Sequence, residues 1–344
     1  MHSRLSFLLG LAAAAALLGN WSVAPAEAQT VKAEYKISTV VGSPFPWGLA
    51  AQRWADIVKE KSGGKINMKV YPGSSLVGGD QTKEFTAMRQ GVIDMAVGST
   101  INWSPQVQEL NLFSMPFLMP DYKAIDALTQ GEVGKKLFEI IASKDIVPLA
   151  WGENGFRELT NSKRAIRTPD DLKGLKIRVV GSPLFNDTFT ALGANPTQMS
   201  WADAQPALST GAVDGQENPL TIFTVAKLHT VGQKHVTLWH YVADPLIFSV
   251  SKQVFGTFSE ADQKIVREAA VEAGKYGVEI ARKGVTPQDQ SVLKDITGLG
   301  VEIVSLSPEQ QQAFAKVTKP VYDKWKARIG ADLVTAAEKA VAAR

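Results

Sequence analysis

The sequence has 344 residues, a formal net charge of +3 and no cysteine. This length predicts two domains, and the small charge, carried by scattered basic residues, argues against nucleic-acid binding. The absence of cysteine excludes disulfides, zinc–thiolate sites, iron–sulfur clusters and cysteine nucleophiles within this sequence.

The first residues have the pattern of an export signal. Arg4 precedes an apolar run over 5–18, and an A-x-A cleavage pattern follows the run. The run is shorter than the ~20 residues that a spanning helix needs. We therefore expect 1–28 to be a signal peptide, cleaved near Ala28–Gln29, and the mature protein to be periplasmic. A transmembrane anchor is the alternative interpretation.

The rest of the chain alternates between two hydrophobic periods. Period-two segments predict strands over 34–41, 65–73, 92–99, 146–151, 155–160, 175–180, 195–200, 212–218, 245–250 and 301–306. Helical spacing predicts helices over 47–61, 80–91, 122–142, 183–192 and 202–209, one long segment over 260–293, and two more in the tail. The order β-α-β-α-β favours an α/β fold with a largely parallel sheet.

Motifs of enzymes do not stand out. The sequence has no H-E-x-x-H, G-x-S-x-G, P-loop or dinucleotide fingerprint. The glycine-rich stretch over 73–79 lacks the Lys-Ser/Thr of a phosphate loop and is interpreted as a turn. His229, His235 and His240 have spacings that do not place two ligands on one helical face, so a metal site is not expected. The sequence favours binding over catalysis, with no cofactor.

An arginine lies in an apolar strand within "LKGLKIRVVGSPLF", residues 172–185. Arg178 precedes a Gly-Ser-Pro turn and a predicted helix, and ligands of open α/β sheets bind at such carboxyl ends of strands. A guanidinium there can hold a carboxylate through two parallel hydrogen bonds. A structural ion pair with Asp203 or Glu217 explains the charge equally well.

Other polar residues at strand ends are candidates of the same kind. Arg157 lies in the short strand over 155–160, where a ligand role and a structural pair are again both open. Asn218 ends the strand over 212–218, and its amide can bind a ligand or hold a turn. For the tryptophans that follow predicted strands, core or lobe-interface packing is favoured over ligand contact: Trp47, Trp103, Trp151 and Trp201.

The motifs K-I-R-V, A-L-G-A-N-P and V-D-G-Q-E-N-P follow one another in the segment 170–220. In this order they resemble the solute-binding proteins of tripartite ATP-independent periplasmic (TRAP) transporters, the DctP family. The segments 71–99 and 115–124 resemble the same family, and the similarity runs over nearly the whole mature chain. It implies two α/β lobes that close over a ligand cleft, joined by a long bridging helix.

The resemblance also implies roles for particular residues. Arg178 matches the family's carboxylate-clamping arginine, Arg157 a second family arginine, and Asn218 a ligand-contacting asparagine. Trp201 lies in a loop that commonly lines the pocket. Val180 stands where many members have proline, which changes the turn and leaves the arginine in place. Five further residues are candidate ligand contacts: Trp47, Glu84, Asn102, Trp103 and Glu217.

The expected division places 29–152 plus 242–285 in lobe I and 153–241 plus 286–344 in lobe II. The implied ligand is a small organic acid, a C4-dicarboxylate by default, with aromatic and 2-oxo acids also open. The implied partners are the small and large membrane subunits of a TRAP transporter. A protein that presents its ligand to a sensor, and less favourably a periplasmic enzyme, are the alternative functions.

Overall fold

The computed structural model describes residues 32–344. The predicted signal peptide, residues 1–28, lies outside the described residues. Within the described part, no helix combines the length and the apolar character needed to span a bilayer.

The strands are short and alternate with helices, as the sequence predicts. In chain order the strands are β1 Tyr35–Ser38, β2 Met68–Tyr71, β3 Met95–Ser99, β4 Ile146–Phe156, β5 Glu158–Asn161, β6 Lys176–Val179, β7 Asn195–Gln198, β8 Gly215–Asn218, β9 His235–Leu238, β10 Ala243–Ser251 and β11 Glu302–Ser305. The helices are α1 Pro46–Lys61, α2 Glu84–Arg89, α3 Thr100–Trp103, α4 Tyr122–Gln130, α5 Glu132–Ala142, α6 Pro183–Ala191, α7 Trp201–Thr210, α8 Leu220–Val225, α9 Lys252–Gly256, α10 Glu260–Arg282, α11 Ser291–Gly298, α12 Pro308–Ile329 and α13 Ala331–Ala342.

Side chains close several helix starts as the sequence suggests. Ser259 accepts a hydrogen bond from the Asp262 amide at the start of α10, and Ser307 forms a reciprocal capping box with Gln310 at the start of α12. Such caps satisfy amides that have no partner within the helix and contribute about 0.5–2 kcal/mol each. The long helices therefore begin where their hydroxyl caps stand.

Two sheets define two lobes. Lobe I is built on a sheet of order β2-β1-β3-β10-β4, and lobe II on a sheet of order β11-β9-β5-β8-β6-β7. Apolar clusters fill both lobes, with Trp54 and Phe248 in the centre of one cluster of lobe I and Phe189 and Trp239 in a cluster of lobe II. The predicted two-lobed α/β architecture is confirmed.

The prediction of largely parallel sheets is wrong at the strands where the chain changes lobe. In lobe I, β10 runs antiparallel to both of its neighbours, β3 and β4. In lobe II, β5 runs antiparallel to both β8 and β9. The reason is the crossing itself: β4 continues through Arg157 directly into β5, and β9 returns to lobe I as β10.

Helix α10 connects the lobes and packs closely on lobe I. Gly274 lies against β4, where an added Cβ would stand 2.4 Å from the Trp151 carbonyl oxygen. Beyond the helix, Val285 packs on an apolar cluster of lobe II. The prediction of one helix over 260–293 is wrong, because the helix ends at Arg282, shortly before Gly284, whose φ is +80°.

The C-terminal helices differ from the expected division of the chain. Phe314 of α12 packs in lobe II, but Trp325 of α12 and Val334 of α13 belong to an apolar cluster that contains Phe113 of lobe I. The expected assignment of 286–344 to lobe II therefore does not fit the packing of its last two helices.

Candidate functional site

One cavity lies between the lobes at the ends of their strands. It encloses about 320 Å³ of space between atoms, part of which is open to solvent. Its lining comes from both lobes and consists of Val40, Val41, Trp47, Gln81, Asn102, Asn154, Arg157, Arg178, Val180, Trp201, Asn218, Ile222 and Asp244. Six of the nine candidate residues of the sequence are brought together here.

Arg178 reaches this cavity from β6, where it is only 1 % exposed. Its Nε and Nη2 donate to the Met199 carbonyl oxygen at 3.2 and 2.9 Å, and no carboxylate among residues 32–344 forms an ion pair with it. Burial lowers the pKa of Arg178 to about 10, against the opposing effect of the Glu217 charge. The guanidinium is therefore a buried cation at neutral pH, held in place by a neutral acceptor.

Arg157, in contrast to Arg178, is surrounded by carboxylates of the protein. Its guanidinium binds both carboxylate oxygens of Glu217, one of them Oε1 at 2.7 Å, and its Nη1 lies 3.3 Å from Asp244 Oδ2. Burial alone would lower the pKa of Arg157, but the two carboxylates raise it above the usual value. The protein itself thus neutralises this arginine, and the geometry favours the structural pair of the two interpretations that the sequence left open.

A carboxylate that the sequence did not single out also faces the cavity. Asp244 accepts hydrogen bonds from Ser99 Oγ at 2.5 Å and Asn154 Nδ2 at 2.8 Å. Burial raises the pKa of Asp244, against the opposing effects of Arg157 and these two donors. The cavity lining therefore contains one arginine without a carboxylate partner among the described residues, Arg178, and one hydrogen-bonded anion, Asp244.

A hydrogen bond joins the lobes at the rim of the cavity. Gln81 of lobe I accepts a bond from the backbone N–H of Trp201, the first residue of α7 in lobe II, at 2.8 Å. The Gln81 amide in turn donates to Asn102 Oδ1 at 3.0 Å. The Trp201 ring centre lies 5.9 Å from the Arg178 guanidinium carbon, within the range of a cation–π contact.

The remaining lining residues have distinct roles. Trp47 donates its indole N–H to the Val97 carbonyl at 2.6 Å and presents apolar surface, and the Asn218 amide donates to Gln216. The cavity lining thus combines fixed amides with an apolar wall.

Three candidates from the sequence do not line the cavity. Glu217 lies behind it, bonded to Arg157 and to the Tyr241 hydroxyl at 2.8 Å. Trp103 is fully buried and packs against Phe85. Glu84 is also fully buried and accepts a bond from Ser38, so direct ligand contact does not fit the placement of these three.

Several lining residues were missed by sequence reasoning. Asn154 lies within "ENGFRELT", and Asp244 directly precedes a predicted strand, so their positions at strand ends were the available signal. Gln81 follows the glycine-rich turn, which brings it to the rim. Val40 and Ile222 are ordinary apolar residues, and no sequence signal distinguishes them from core residues.

A second, larger cavity of about 920 Å³ lies near the end of α10. No arginine or lysine lines it, and its buried acid, Glu158, already accepts bonds from the backbone N–H groups of Trp239 and His240. Its one histidine among the described lining residues, His240, lies 3.3 Å from Glu158 Oε1, so this cavity offers a ligand carboxylate no permanently charged partner. Among the described residues, no cluster of His, Asp and Glu has the arrangement of a metal site.

Two lobes with a small cavity between them and a buried guanidinium in its lining are the arrangement expected of a protein that binds a small organic anion. The model of the family described as "Bacterial extracellular solute-binding protein, family 7" (DctP) matches residues 37–328. The chain belongs to this family, as the sequence resemblance predicted.

Named relatives agree with this assignment. The 2,3-diketo-L-gulonate-binding periplasmic protein YiaO of Escherichia coli K12 is 32 % identical over 87 % of this chain and 86 % of its own length. The C4-dicarboxylate-binding periplasmic protein DctP of Rhodobacter capsulatus is 31 % identical over 89 % and 90 % of the two chains.

A solved structure is more similar still. A TRAP periplasmic solute-binding protein of Ralstonia eutropha H16 is 64 % identical, covers 91 % of this chain and 100 % of its own, and has a TM-score of 0.90. Its structure contains bound (S)-2-hydroxy-2-methyl-3-oxobutanoate, (S)-2-acetolactate. This chain is thus a solute-binding protein of the TRAP type, a class that binds small organic acids.

Proposed function

We propose that this protein captures a small organic acid through Arg178 and delivers it to the small and large membrane subunits of a TRAP transporter. The observation that carries the proposal is the buried Arg178 guanidinium, which has a carbonyl partner and no anionic partner among the described residues. A buried charge without a counter-ion is costly, and a ligand carboxylate removes that cost.

The ligand of the Ralstonia eutropha protein supports a particular size and type of acid. Acetolactate has one carboxylate, one hydroxyl, one ketone carbonyl and two methyl groups, and the cavity here offers one arginine without a carboxylate partner among the described residues, several amides and an apolar wall. We propose a small 2-hydroxy or 2-oxo acid of this kind as the ligand. The protein acts without chemical turnover, and the periplasm is its site of action.

Titration calorimetry with acetolactate tests the proposal on protein refolded to remove bound ligand. Arg178→Gln removes two charge-assisted bonds worth about 1.5–3 kcal/mol each, so binding should weaken about a hundredfold or more. Arg53→Gln is the matched control, since among residues 32–344 Arg53 pairs only with the exposed Glu272 and its replacement should not alter affinity. Equal binding by wild type and Arg178→Gln would overturn the proposal.

A further inference from the structure

Besides Arg178, the cavity contains a second charged side chain, Asp244, whose hydrogen-bonding capacity is not fully satisfied by the protein. Asp244 is the second residue of β10, at the end of the strand that reaches the cavity, and it is 1 % exposed. It lines the same small cavity as Arg178. A ligand held by Arg178 in this cavity therefore lies close to the Asp244 carboxylate.

The two oxygens of Asp244 are not equally occupied. Oδ2 accepts from Asn154 at 2.8 Å and from Arg157 at 3.3 Å, whereas Oδ1 accepts only from Ser99, at 2.5 Å, among residues 32–344. A carboxylate oxygen has about two acceptor positions. Oδ1 therefore keeps one acceptor position, which a ligand hydroxyl could fill.

The balance of charge in the cavity allows one ligand carboxylate and no more. Arg157 is already paired with Glu217 and Asp244, so Arg178 is the cation left for a ligand within the described lining. A second ligand carboxylate would lie next to Asp244 with no cation to pair with. Burial of such a charge is strongly unfavourable.

The apolar part of the lining fits small uncharged groups. Val40, Val41, Val180 and Ile222 supply branched apolar surface, and Trp47 presents a ring whose N–H is already bonded to a backbone carbonyl. These side chains accommodate methyl groups. None of them can stabilise a second anion.

We propose, given the function proposed above, that Asp244 determines specificity: it accepts a hydrogen bond from the ligand hydroxyl through Oδ1 and repels a second carboxylate. The preferred ligands are then hydroxy monocarboxylates with small apolar substituents. C4-dicarboxylates, the default for the family resemblance, are excluded by the same side chain.

The first test uses two acids of nearly equal shape. Replacing the acetyl methyl group of acetolactate by an oxygen anion gives 2-hydroxy-2-methylpropanedioate, a dianion of nearly the same size in which a second carboxylate stands in place of the ketone. Wild type should bind acetolactate about a hundredfold more tightly than this dianion, and Asp244→Asn should reduce that ratio at least about tenfold. Asp295→Asn, a change of the same kind on the exposed face of α11, should leave the ratio unchanged.

The second test needs no variant, which protects the proposal if Asp244→Asn folds poorly. Wild type should bind 2-hydroxy-2-methylpropanoate at least about tenfold more tightly than 2,2-dimethylpropanoate, which has a methyl group in place of the hydroxyl. Equal affinity within either pair of acids for wild type, or an unchanged ratio in folded Asp244→Asn, would overturn the role of Asp244.

The two proposals fail in different ways. If the acids bind to wild type and Arg178→Gln abolishes binding, but the two acids of each pair bind with equal affinity, only the role of Asp244 is wrong. If wild type binds none of these acids, the proposed function itself fails and the role of Asp244 fails with it.

Discussion

The stability of this protein should depend on pH through one buried carboxyl group, Glu84. Glu84 begins α2 and is fully buried, with its Oε1 accepting from Ser38 Oγ at 2.5 Å and lying 3.5 Å from Ser74 Oγ. Burial raises its pKa from 4.5 to about 7, and the bond from Ser38 offsets only part of that rise. The folded protein therefore holds a proton on Glu84 that the unfolded chain releases at lower pH.

The direction in which the free energy of unfolding changes with pH follows from the linkage between protonation and folding. Because the folded-state pKa is the higher one, the stabilising contribution of the proton is complete below pH 4.5 and is lost as pH rises through about 7. Each pKa unit corresponds to about 1.36 kcal/mol, so the free energy of unfolding should fall by about 3 kcal/mol over this window on account of Glu84.

Glu84→Gln replaces the carboxyl by a neutral group of similar shape. Urea unfolding of wild type and variant, measured from pH 4.5 to about pH 8, gives the difference in unfolding free energy between them. That difference should shift by about 3 kcal/mol in favour of the variant as pH rises. Glu139→Gln, at a side chain that is 67 % exposed, is the control and should give a flat difference. A flat profile for Glu84→Gln would refute the reasoning.

Two further predictions concern the closure of the lobes and the packing of α10. Gln81→Ala removes the bond to the Trp201 amide, so affinity for every acid should fall about two- to tenfold in calorimetry; an effect on one acid alone would contradict a role in closure. Gly274→Ala forces a Cβ to 2.4 Å from the Trp151 carbonyl oxygen, so its melting temperature should fall despite the higher helix propensity of alanine. Gly256→Ala, in open space, should show no loss, and equal melting temperatures for both variants would contradict close packing.

The hydrophobic periodicity of the sequence predicted most helices and strands of this fold. The helices and strands that it predicted wrongly, or did not predict, have local explanations. The strand His235–Leu238 was not predicted, because its two buried residues, Val236 and Thr237, are adjacent and therefore do not give the alternation of a half-buried strand. The predicted helix over 260–293 continued past Gly284 and Pro287, although both residues are ordinary signals of a helix end. The assignment of α12 and α13 depends on packing between distant segments, and periodicity does not report which lobe an apolar stripe meets.

The sequence predicted which types of residue form the candidate site more fully than it predicted which of its charged side chains form ion pairs. Sequence reasoning placed Arg178 and Asn218 at strand ends, and the structure brings them to one cavity. It could not determine which arginine has a protein partner, because ion pairs depend on strand register. Asp244 was missed for a related reason: a carboxylate before a strand becomes informative only once its distance from the other charges is known.

Strand register explains why two arginines of the same lobe differ so sharply. Leu159 of β5 is paired with Glu217 of β8, and Arg157, two residues before Leu159, projects to the same face as this acid. Arg178 of β6 is paired with the neutral Gln216, one position before Glu217 and therefore on the opposite face. A shift of one residue between β6 and β8 would place Glu217 beside Arg178, and the guanidinium would then form an ion pair within the protein. The absence of a carboxylate partner for Arg178 among the described residues is thus a consequence of strand register, and the proposed ligand carboxylate would take the place that a one-residue shift would give to Glu217.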